Sequence, residues 1–560
     1  MAKSYGTMSG AHTSLPSSSS NTTVVRAGSP STASTAESQP AAKHHTPLHK
    51  STSNRPQQHR HEDERTSSDE SPLLNHGPHH NQDLGHGNEV GPSAGFWSCT
   101  INLANTILGT GMLAMPGALA AVGVLLGSFM IVFSAGASAL GLYFLTRSAS
   151  RTHGRAASFF ACSKLTYPSA AVFFDVAIAI KCFGVGISYL IIIGDLMPEV
   201  VRSLAAMAFV AAGGDGAGEM DPQLWFLVDR RFWITIFMGI IGPLAFLRRL
   251  DSLKATSALA LTAVFYLVFI VIHFYLKPEQ PLPPKEEIRY VYLSSQFWTT
   301  LPIFVFAFTC HQNIFSVYNE LTDNGQSMLN RIISTSIGSA VVVYHTIGVL
   351  GYLTFGNIVG GNIIQMYNAS LLVTIGRIAI VILVMFSFPL QCHPCRACLD
   401  KVLIAAVQFW DSTRFGKKRQ YNSLAETNDH DHDDQDHDDN LVHPAPSPSS
   451  VTLAEGGEVD DHGAPIQEIP QLKYIIMTLA ILIGSYLIAI TVSDLKVVLS
   501  LVGSTGSTAI SFILPGSFYY KLHENDPWTG RKILSMCLTI YGCLVMVICL
   551  TANIRKIIYG

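Results

Sequence analysis

One stretch of this 560-residue chain is apolar enough to cross a membrane but is interrupted in its middle. The residues that interrupt it are those best suited to bind a solute. Residues 97–122 have the length that a bilayer-spanning helix needs, roughly 20 residues. The residues that interrupt it are polar or flexible: Asn102, Asn105, Thr106, Gly109, Thr110 and Gly111. Peptide groups freed at membrane depth are tolerated only where they line a cavity enclosed by protein. The pattern therefore predicts either a solute site in a broken helix or a packing kink between small residues.

A second apolar stretch, residues 297–321, carries a similar polar interruption. We interpret Thr309, His311 and Asn313 as the side of the site that faces the first interruption. Because imidazole changes charge near neutral pH, His311 is either a proton relay or a neutral, hydrogen-bonded core residue. Half-helix N-termini attract an anionic group and unwound carbonyls attract a cation, so the pair of breaks suits a zwitterionic α-amino acid.

The elements that position these residues are predicted to be membrane helices. The chain is 48% hydrophobic and 13% charged, and long polar tracts alternate with strongly apolar segments. This composition predicts an all-α polytopic membrane protein with about eleven transmembrane helices. The predicted spans are 97–121, 123–147, 169–195, 232–248, 254–276, 296–319, 332–355, 371–391, 473–492, 496–520 and 533–553.

The apolar and polar segments predict four regions. Residues 1–95 form a disordered cytosolic tail, 96–410 contain transmembrane helices one to eight, 411–470 form a disordered cytosolic loop rich in His and Asp, and 471–560 contain helices nine to eleven. Interrupted helices at the first and sixth spans are typical of a transporter built from two inverted five-helix repeats. The net charge of −3 gives no indication of nucleic-acid binding.

Charged and polar motifs in the loops predict orientation and sorting. Lys and Arg are more frequent in the loops on one side, which predicts a cytosolic N-terminus and a luminal C-terminus. This topology places Asn368, in the glycosylation pattern Asn-Ala-Ser, on the non-cytosolic side. Asp69, Leu73 and Leu74 resemble the acidic dileucine signals that adaptor complexes read when they sort cargo to vacuoles and lysosomes.

Four motifs, at residues 102–116, 181–198, 304–321 and 501–516, resemble the amino acid/auxin permease family. The similarity is greatest to its fungal vacuolar branch, which is related to the sodium-coupled neutral amino-acid transporters. The resemblance covers nearly all of residues 95–555 except the long loop. It implies an eleven-helix fold of the LeuT type with a 5+5 inverted repeat. It also implies secondary transport of amino acids, driven by a proton or sodium gradient.

Two further residues are candidates for ion coupling. Ser387 resembles the hydroxyl that helps to hold sodium in related carriers, opposite an asparagine that is Asn102 or Asn105 here. Lys181 is an ionisable residue in the middle of a predicted span, where a charge is costly and marks a functional candidate. We expect Lys181 to accept the coupling proton or to replace a cation. The alternative is a structural pair with Asp175 or Asp195.

Together these patterns predict an alternating-access transporter of the vacuolar membrane that exports neutral amino acids to the cytosol, coupled to protons. The alternatives are a sodium-coupled importer of the plasma membrane and an amino-acid-sensing receptor. We expect no enzymatic activity, since no paired carboxylates and no metal tetrad occur in the spans. The absence of a nucleotide-binding loop also disfavours a pump driven by ATP. The expected partners are an amino-acid substrate, membrane lipids and a sorting adaptor complex, with no cofactor and no bound metal.

Overall fold

The computed structural model describes residues 94–152, 154–213, 222–247, 254–426 and 470–559. Within these ranges the chain is helical apart from short connections, and β-structure is limited to a single bridge. The predicted all-α class is thus confirmed. The predicted sorting residues Asp69, Leu73 and Leu74 lie outside the described residues.

The first predicted span is broken as expected. Helix α1 (Phe96–Ile107) and helix α2 (Gly111–Val122) meet at an angle of 51°. Residues 108–110 between them, here called the first break, leave the helical ladder because the Gly109 N–H donates to the Ile107 carbonyl at 2.7 Å. A donor that bonds two residues back in this way does not continue the α-helical pattern.

The remaining helices follow in chain order and include a second interrupted span. They are α3 (Val124–Ala149), α4 (Phe159–Thr166), α5 (Ala171–Ala211), α6 (Arg230–Ala245), α7 (Lys254–Leu276), α8 (Gln296–Ala307), α9 (Ile314–Glu320), α10 (Gln326–Phe355), α11 (Ile363–Met366), α12 (Leu371–Glu426), α13 (Gln471–Thr491), α14 (Leu495–Val502), α15 (Leu514–Leu522) and α16 (Gly530–Tyr559). Two π-helical turns, Gly503–Ser507 and Ala509–Ile513, join α14 to α15.

Helix length and composition bound the number of membrane crossings. Nine helices in the described part of the chain are long and apolar enough to cross a membrane, or ten when α1 and α2 count as one span. The predicted span at 232–248 is α6, whose 16 residues extend about 24 Å, less than the roughly 30 Å of a hydrocarbon core. Eleven spans and the 5+5 repeat therefore stay predictions.

The boundary of the predicted loop at residue 411 differs from the structure. Helix α12 runs without interruption to Glu426, so residues 411–426 are helical, whereas the loop was predicted to begin at residue 411. This segment contains no proline and is rich in good helix formers such as Lys, Arg, Gln and Ala, which allow the helix to continue past the apolar run. Residues 427–469 of the loop lie outside the described residues.

The interrupted helices lie at the centre of the bundle. In the apolar stretch of Gln296–Glu320, 89% of the residues are buried, whereas only 28% are buried in α16. Helix α2 packs against α8 and α10, and the long helices α5 and α12 pack along each other. The apolar side chains left exposed on α3, α7, α13 and α16 suit contact with lipid.

Candidate functional site

A small cavity opens at the first break. Its volume is about 20 Å³, enough for roughly one water molecule. Helices α5 and α12 supply the wall opposite the break. The lining residues are Asn105, Leu108, Gly109, Thr110, Met112, Leu113, Tyr189, Ile380, Leu383, Val384 and Ser387. The structure thus brings Asn105, Gly109 and Thr110 of the predicted substrate site together with Ser387, and an amino acid fits only if these walls move apart.

The backbone at the first break has free donors. Among the described residues, no hydrogen-bond acceptor faces the N–H groups of Thr110 and Gly111, at the N-terminus of α2. Aligned peptide dipoles give such a terminus a partial positive charge, and its N–H groups point along the axis at an approaching anion. The break can therefore hold a carboxylate without a basic side chain.

The two glycines of this segment differ in their surroundings. A Cβ atom added to Gly109 would meet only the Ile107 carbonyl oxygen at 4.0 Å, so the space beside Gly109 is open. A Cβ added to Gly111 would lie 3.0 Å from the Cα and Cβ atoms of Ala307 in α8. Gly109 therefore leaves room for a solute, whereas Gly111 lets the two interrupted helices pack closely.

The second break comprises residues 308–310 and the 3₁₀ turn His311–Asn313, between α8 and α9. The ring of His311 is fully buried, with Nε2 3.1 Å from the Ser138 carbonyl oxygen and Nδ1 3.1 Å from the Ser511 hydroxyl. Because a carbonyl oxygen only accepts, Nε2 donates to Ser138, while the single proton of the Ser511 hydroxyl is shared between His311 Nδ1 and Thr309 Oγ1. Thr309 Oγ1 lies 3.3 Å from the same hydroxyl. This arrangement favours a neutral, hydrogen-bonded His311 over a proton relay, and neither Thr309 nor His311 lines the cavity.

Side chains connect the two breaks directly. Asn313 Nδ2 donates to Thr106 Oγ1 at 2.7 Å, and Thr106 Oγ1 donates to the Asn102 carbonyl at 2.9 Å. Asn313 and Thr106 therefore join the two interrupted helices, although neither lines the cavity. Asn102 has an exposed side chain and is also absent from the cavity wall, so the asparagine that shares the cavity with Ser387 is Asn105.

Tyr344 of α10 is a residue that sequence reasoning missed. Its hydroxyl lies 2.5 Å from the Ile107 carbonyl at the end of α1 and 2.9 Å from the Ala307 carbonyl at the end of α8. The side chain is fully buried. The only available signal was a tyrosine inside an apolar span, since a buried phenol usually has a hydrogen-bond partner.

Lys181 is buried, as its position in the sequence predicted, with 4% of its surface exposed. Its Nζ atom lies 3.3 Å from Oε1 of Gln391 in α12. In the described ranges no carboxylate forms an ion pair with Lys181, and Asp195 instead lies 3.5 Å from Arg230. An amide oxygen is a weak partner for a buried ammonium group, so Lys181 is a candidate for a change of protonation state.

The predicted glycosylation acceptor Asn368 has an exposed side chain in the turn before α12. Ser370 of the same pattern accepts a hydrogen bond from the Val373 N–H at 3.3 Å. An exposed turn suits the modification, which stays a prediction together with the side of the membrane on which Asn368 lies.

Known proteins resemble almost the whole helical bundle. Residues 92–555 match the family described as "Transmembrane amino acid transporter protein". Vacuolar amino acid transporter 5 of Schizosaccharomyces pombe is 40% identical over 476 residues, which cover 83% of this chain and 95% of that protein. Vacuolar amino acid transporter 5 of Saccharomyces cerevisiae is 38% identical, over 81% of this chain and 97% of the relative. Solute carrier family 38 member 10 of Rattus norvegicus is 23% identical, over 79% of this chain and 35% of that protein.

These matches confirm the resemblance drawn from the four motifs, including its fungal vacuolar branch and the more distant animal relatives. The matched proteins are transporters and not enzymes. The chain therefore belongs to the family of transmembrane amino acid transporter proteins.

Proposed function

We propose that this protein is an amino-acid transporter of the vacuolar membrane, which exports neutral amino acids from the lumen to the cytosol together with protons by alternating access. The observation that carries the proposal is the cavity at the first break, where the N–H groups of Thr110 and Gly111 have no acceptor among the described residues. Relatives that cover most of the chain are named vacuolar amino acid transporters, which supports the membrane and the substrate class.

The substrate carboxylate binds at the N-terminus of α2, where the helix dipole and the free N–H groups favour an anion. The side-chain amide of Asn105 and the hydroxyl of Ser387 offer oxygen acceptors to the ammonium group. None of the described residues that line the cavity is charged, and Leu108, Met112 and Leu113 are apolar. An acidic or basic substrate side chain would lack a counter-charge there, which supports neutral substrates.

Proton coupling acts through Lys181. Its partner Gln391 is four residues after Ser387, so the two lie on the same face of α12. A change in the charge of Lys181 therefore alters its hydrogen bond to α12, the helix that forms one wall of the cavity. Lysine changes its protonation state more readily when it is buried, which suits this role.

Sodium coupling at the plasma membrane is the second candidate. The specific observation in its favour is that Asn105 and Ser387, two oxygen-bearing side chains, share one cavity. Hard cations such as sodium prefer oxygen ligands, so the same wall suits a metal ion.

Transport assays with the purified full chain in liposomes separate these candidates. We expect uptake of radiolabelled neutral amino acids when a pH gradient is imposed, and no additional uptake with a sodium gradient. Lys181→Met should abolish the response to pH. The control is Arg555→Met, which removes an exposed cation that does not line the cavity and should leave the response intact. Uptake driven by sodium alone would support the second candidate. Binding without flux would support a receptor.

Location and orientation have separate tests. Replacing Leu73 and Leu74 with Ala should send the protein to the cell surface if an adaptor complex reads the dileucine. Asn368→Gln should increase electrophoretic mobility if this side faces the lumen and is glycosylated. Unchanged location or unchanged mobility would contradict the respective proposal, and neither result depends on the coupling ion.

A further inference from the structure

A second and larger cleft lies where α3 ends and α16 begins, and the proposed transport does not use it. Its volume is about 770 Å³, within the roughly 300–1,000 Å³ typical of ligand sites. The lining residues are Arg147, Ser150, Arg151, Tyr519, His523, Asp526, Thr529, Gly530, Arg531 and Leu534. We call it the arginine cleft, because three of these side chains are guanidinium groups.

The charge of the arginine cleft favours an anion. Asp526 is the one carboxylate among its lining residues. In the part of the chain that the structure describes, none of Arg147, Arg151 and Arg531 forms an ion pair. Arg147 Nε donates to the Tyr143 hydroxyl at 3.3 Å, which orients the guanidinium group. Because the forked donors of arginine match phosphate oxygens in pairs, phosphate is the anion that best fits this set.

The walls of the arginine cleft are held by buried hydrogen bonds. Lys532 is 3% exposed, and its Nζ atom donates to the carbonyl oxygens of Glu524 at 2.8 Å and Asp526 at 2.9 Å. These bonds fix the loop between α15 and α16. The His523 ring stacks on Tyr519 at 4.1 Å, and its Nδ1 donates to the Tyr519 carbonyl at 2.9 Å. His523 therefore keeps its Nε2 atom available to a ligand.

The surroundings of the arginine cleft are those of a membrane surface. Trp528, in the loop between α15 and α16, is 63% exposed, and tryptophan is enriched at the level of lipid headgroups. Leu534 lines the cleft and is 46% exposed, and its neighbour Ile533 begins an exposed apolar face that Ile540 and Leu544 continue along the peripheral helix α16. A ligand with a phosphorylated head and apolar chains can contact both surfaces at once.

We propose that the arginine cleft binds the headgroup of a polyphosphorylated membrane lipid. The phosphate groups lie among Arg147, Arg151 and Arg531, and the acyl chains lie along the exposed apolar face of α16. A lipid with a single phosphodiester carries one negative charge, fewer than the three guanidinium groups supply, whereas a bisphosphorylated inositol headgroup carries several. With the cytosolic N-terminus proposed above, this end of the bundle faces the cytosolic leaflet.

Binding to the purified full chain in detergent tests this proposal. The probes are dioctanoyl phosphatidylinositol bisphosphate, dioctanoyl phosphatidylcholine and free inositol trisphosphate, measured by native mass spectrometry and microscale thermophoresis. We expect saturable binding of the bisphosphate lipid and none of the phosphatidylcholine. The double variant Arg151→Gln with Arg531→Gln should bind the bisphosphate lipid at least about tenfold more weakly.

A matched control is Arg555→Gln, which removes an exposed cation from the opposite end of α16, about 36 Å away along the helix. It should bind as the unaltered protein does, and the melting temperatures of all variants establish that they are folded. Equal affinity of the double variant, or an equal loss in Arg555→Gln, would overturn the site. Free inositol trisphosphate bound as tightly as the lipid would overturn the membrane-lipid identity in favour of a soluble polyanion.

Discussion

The first and second breaks each interrupt an apolar span near its middle, yet they differ in what surrounds them. The first break borders a cavity, and in the described ranges the N–H groups of Thr110 and Gly111 have no acceptor. At the second break both ring nitrogens of His311 have hydrogen-bond partners, although the side-chain amide of the buried Gln312 has none among the described residues. In the transport proposed above, the first break receives the solute, whereas the His311 ring anchors the second break in the core.

Helix-breaking residues therefore indicate where a helix is interrupted, but not what the interruption does. Donors left free next to open volume indicate binding, whereas donors already satisfied by neighbours indicate support. Four substitutions test this distinction, and they are given from the largest expected effect to the smallest.

Gly109→Leu should have the largest effect on transport. The added side chain enters the cavity of about 20 Å³, so uptake of neutral amino acids should fall roughly a hundredfold while the protein still folds. The matched control is Gly136→Leu on α3, where a Cβ also meets no atom within 4 Å but the residue is exposed and outside the cavity. Uptake by Gly109→Leu equal to that of the control would show that the first break does not hold the substrate.

Tyr344→Phe should weaken both breaks at once. It removes the donor that reaches the Ile107 and Ala307 carbonyls, and an unsatisfied buried acceptor costs about 1–3 kcal/mol. We expect a lower melting temperature and roughly tenfold slower uptake. Tyr352→Phe, in the same helix and equally buried, loses its hydrogen bonds with Asn357 and with the Arg289 N–H, both away from the breaks, and should lower stability alone. Equal loss of uptake in both variants would contradict a specific role of Tyr344 in joining the two breaks.

Gly111→Ala should act through packing and not through the substrate. The new methyl group would lie 3.0 Å from Ala307, so we expect a loss of about 1–3 kcal/mol in the free energy of unfolding. The double variant with Ala307→Gly removes the contact with the Ala307 Cβ but leaves that with its Cα, so it should recover part of this loss, as measured in a double-mutant cycle. If Ala307→Gly restores nothing, Gly111 contributes through its backbone conformation or through the solute.

His311→Gln should have the smallest effect on the pH dependence of uptake. Because both ring nitrogens are already hydrogen-bonded to neutral groups, we expect the pH midpoint to stay in place while stability falls by about 1 kcal/mol. Lys181→Met is the informative comparison, since it should remove the pH response. A displaced midpoint in His311→Gln would instead assign the proton relay to the second break.

The sequence predicted the helical class and both breaks because these features are local. Runs of apolar residues indicate the spans, and Gly109 and the polar residues around His311 indicate where the helical hydrogen bonding is interrupted. It also assigned Asn105, Gly109 and Thr110 to one substrate site, whereas Ser387, a candidate for ion coupling opposite Asn102 or Asn105, followed from family resemblance and not from spacing.

The partners of these residues were not predictable, because they come from distant positions in the chain. Asn313 and Thr106 are 207 residues apart, and Lys181 and Gln391 are 210 residues apart. The π-helical turns were equally hidden, since the small residues at 503–508 are typical of close helix packing or of a flexible gate and do not indicate the winding of the helix. A Cβ on Gly503 would lie 2.0 Å from the Pro302 carbonyl oxygen, so the two helices pack closely there.

A phenol carries a single proton, and Tyr344 shares that proton between two carbonyl groups that belong to different interrupted helices. If α1 and α8 separate during transport, the tyrosine can follow only one of them, and the other carbonyl must find water or a solute. Opening of the bundle is thus most favourable when something polar has already entered between the helix ends. This preference would link the arrival of a substrate to the movement that releases it on the other side.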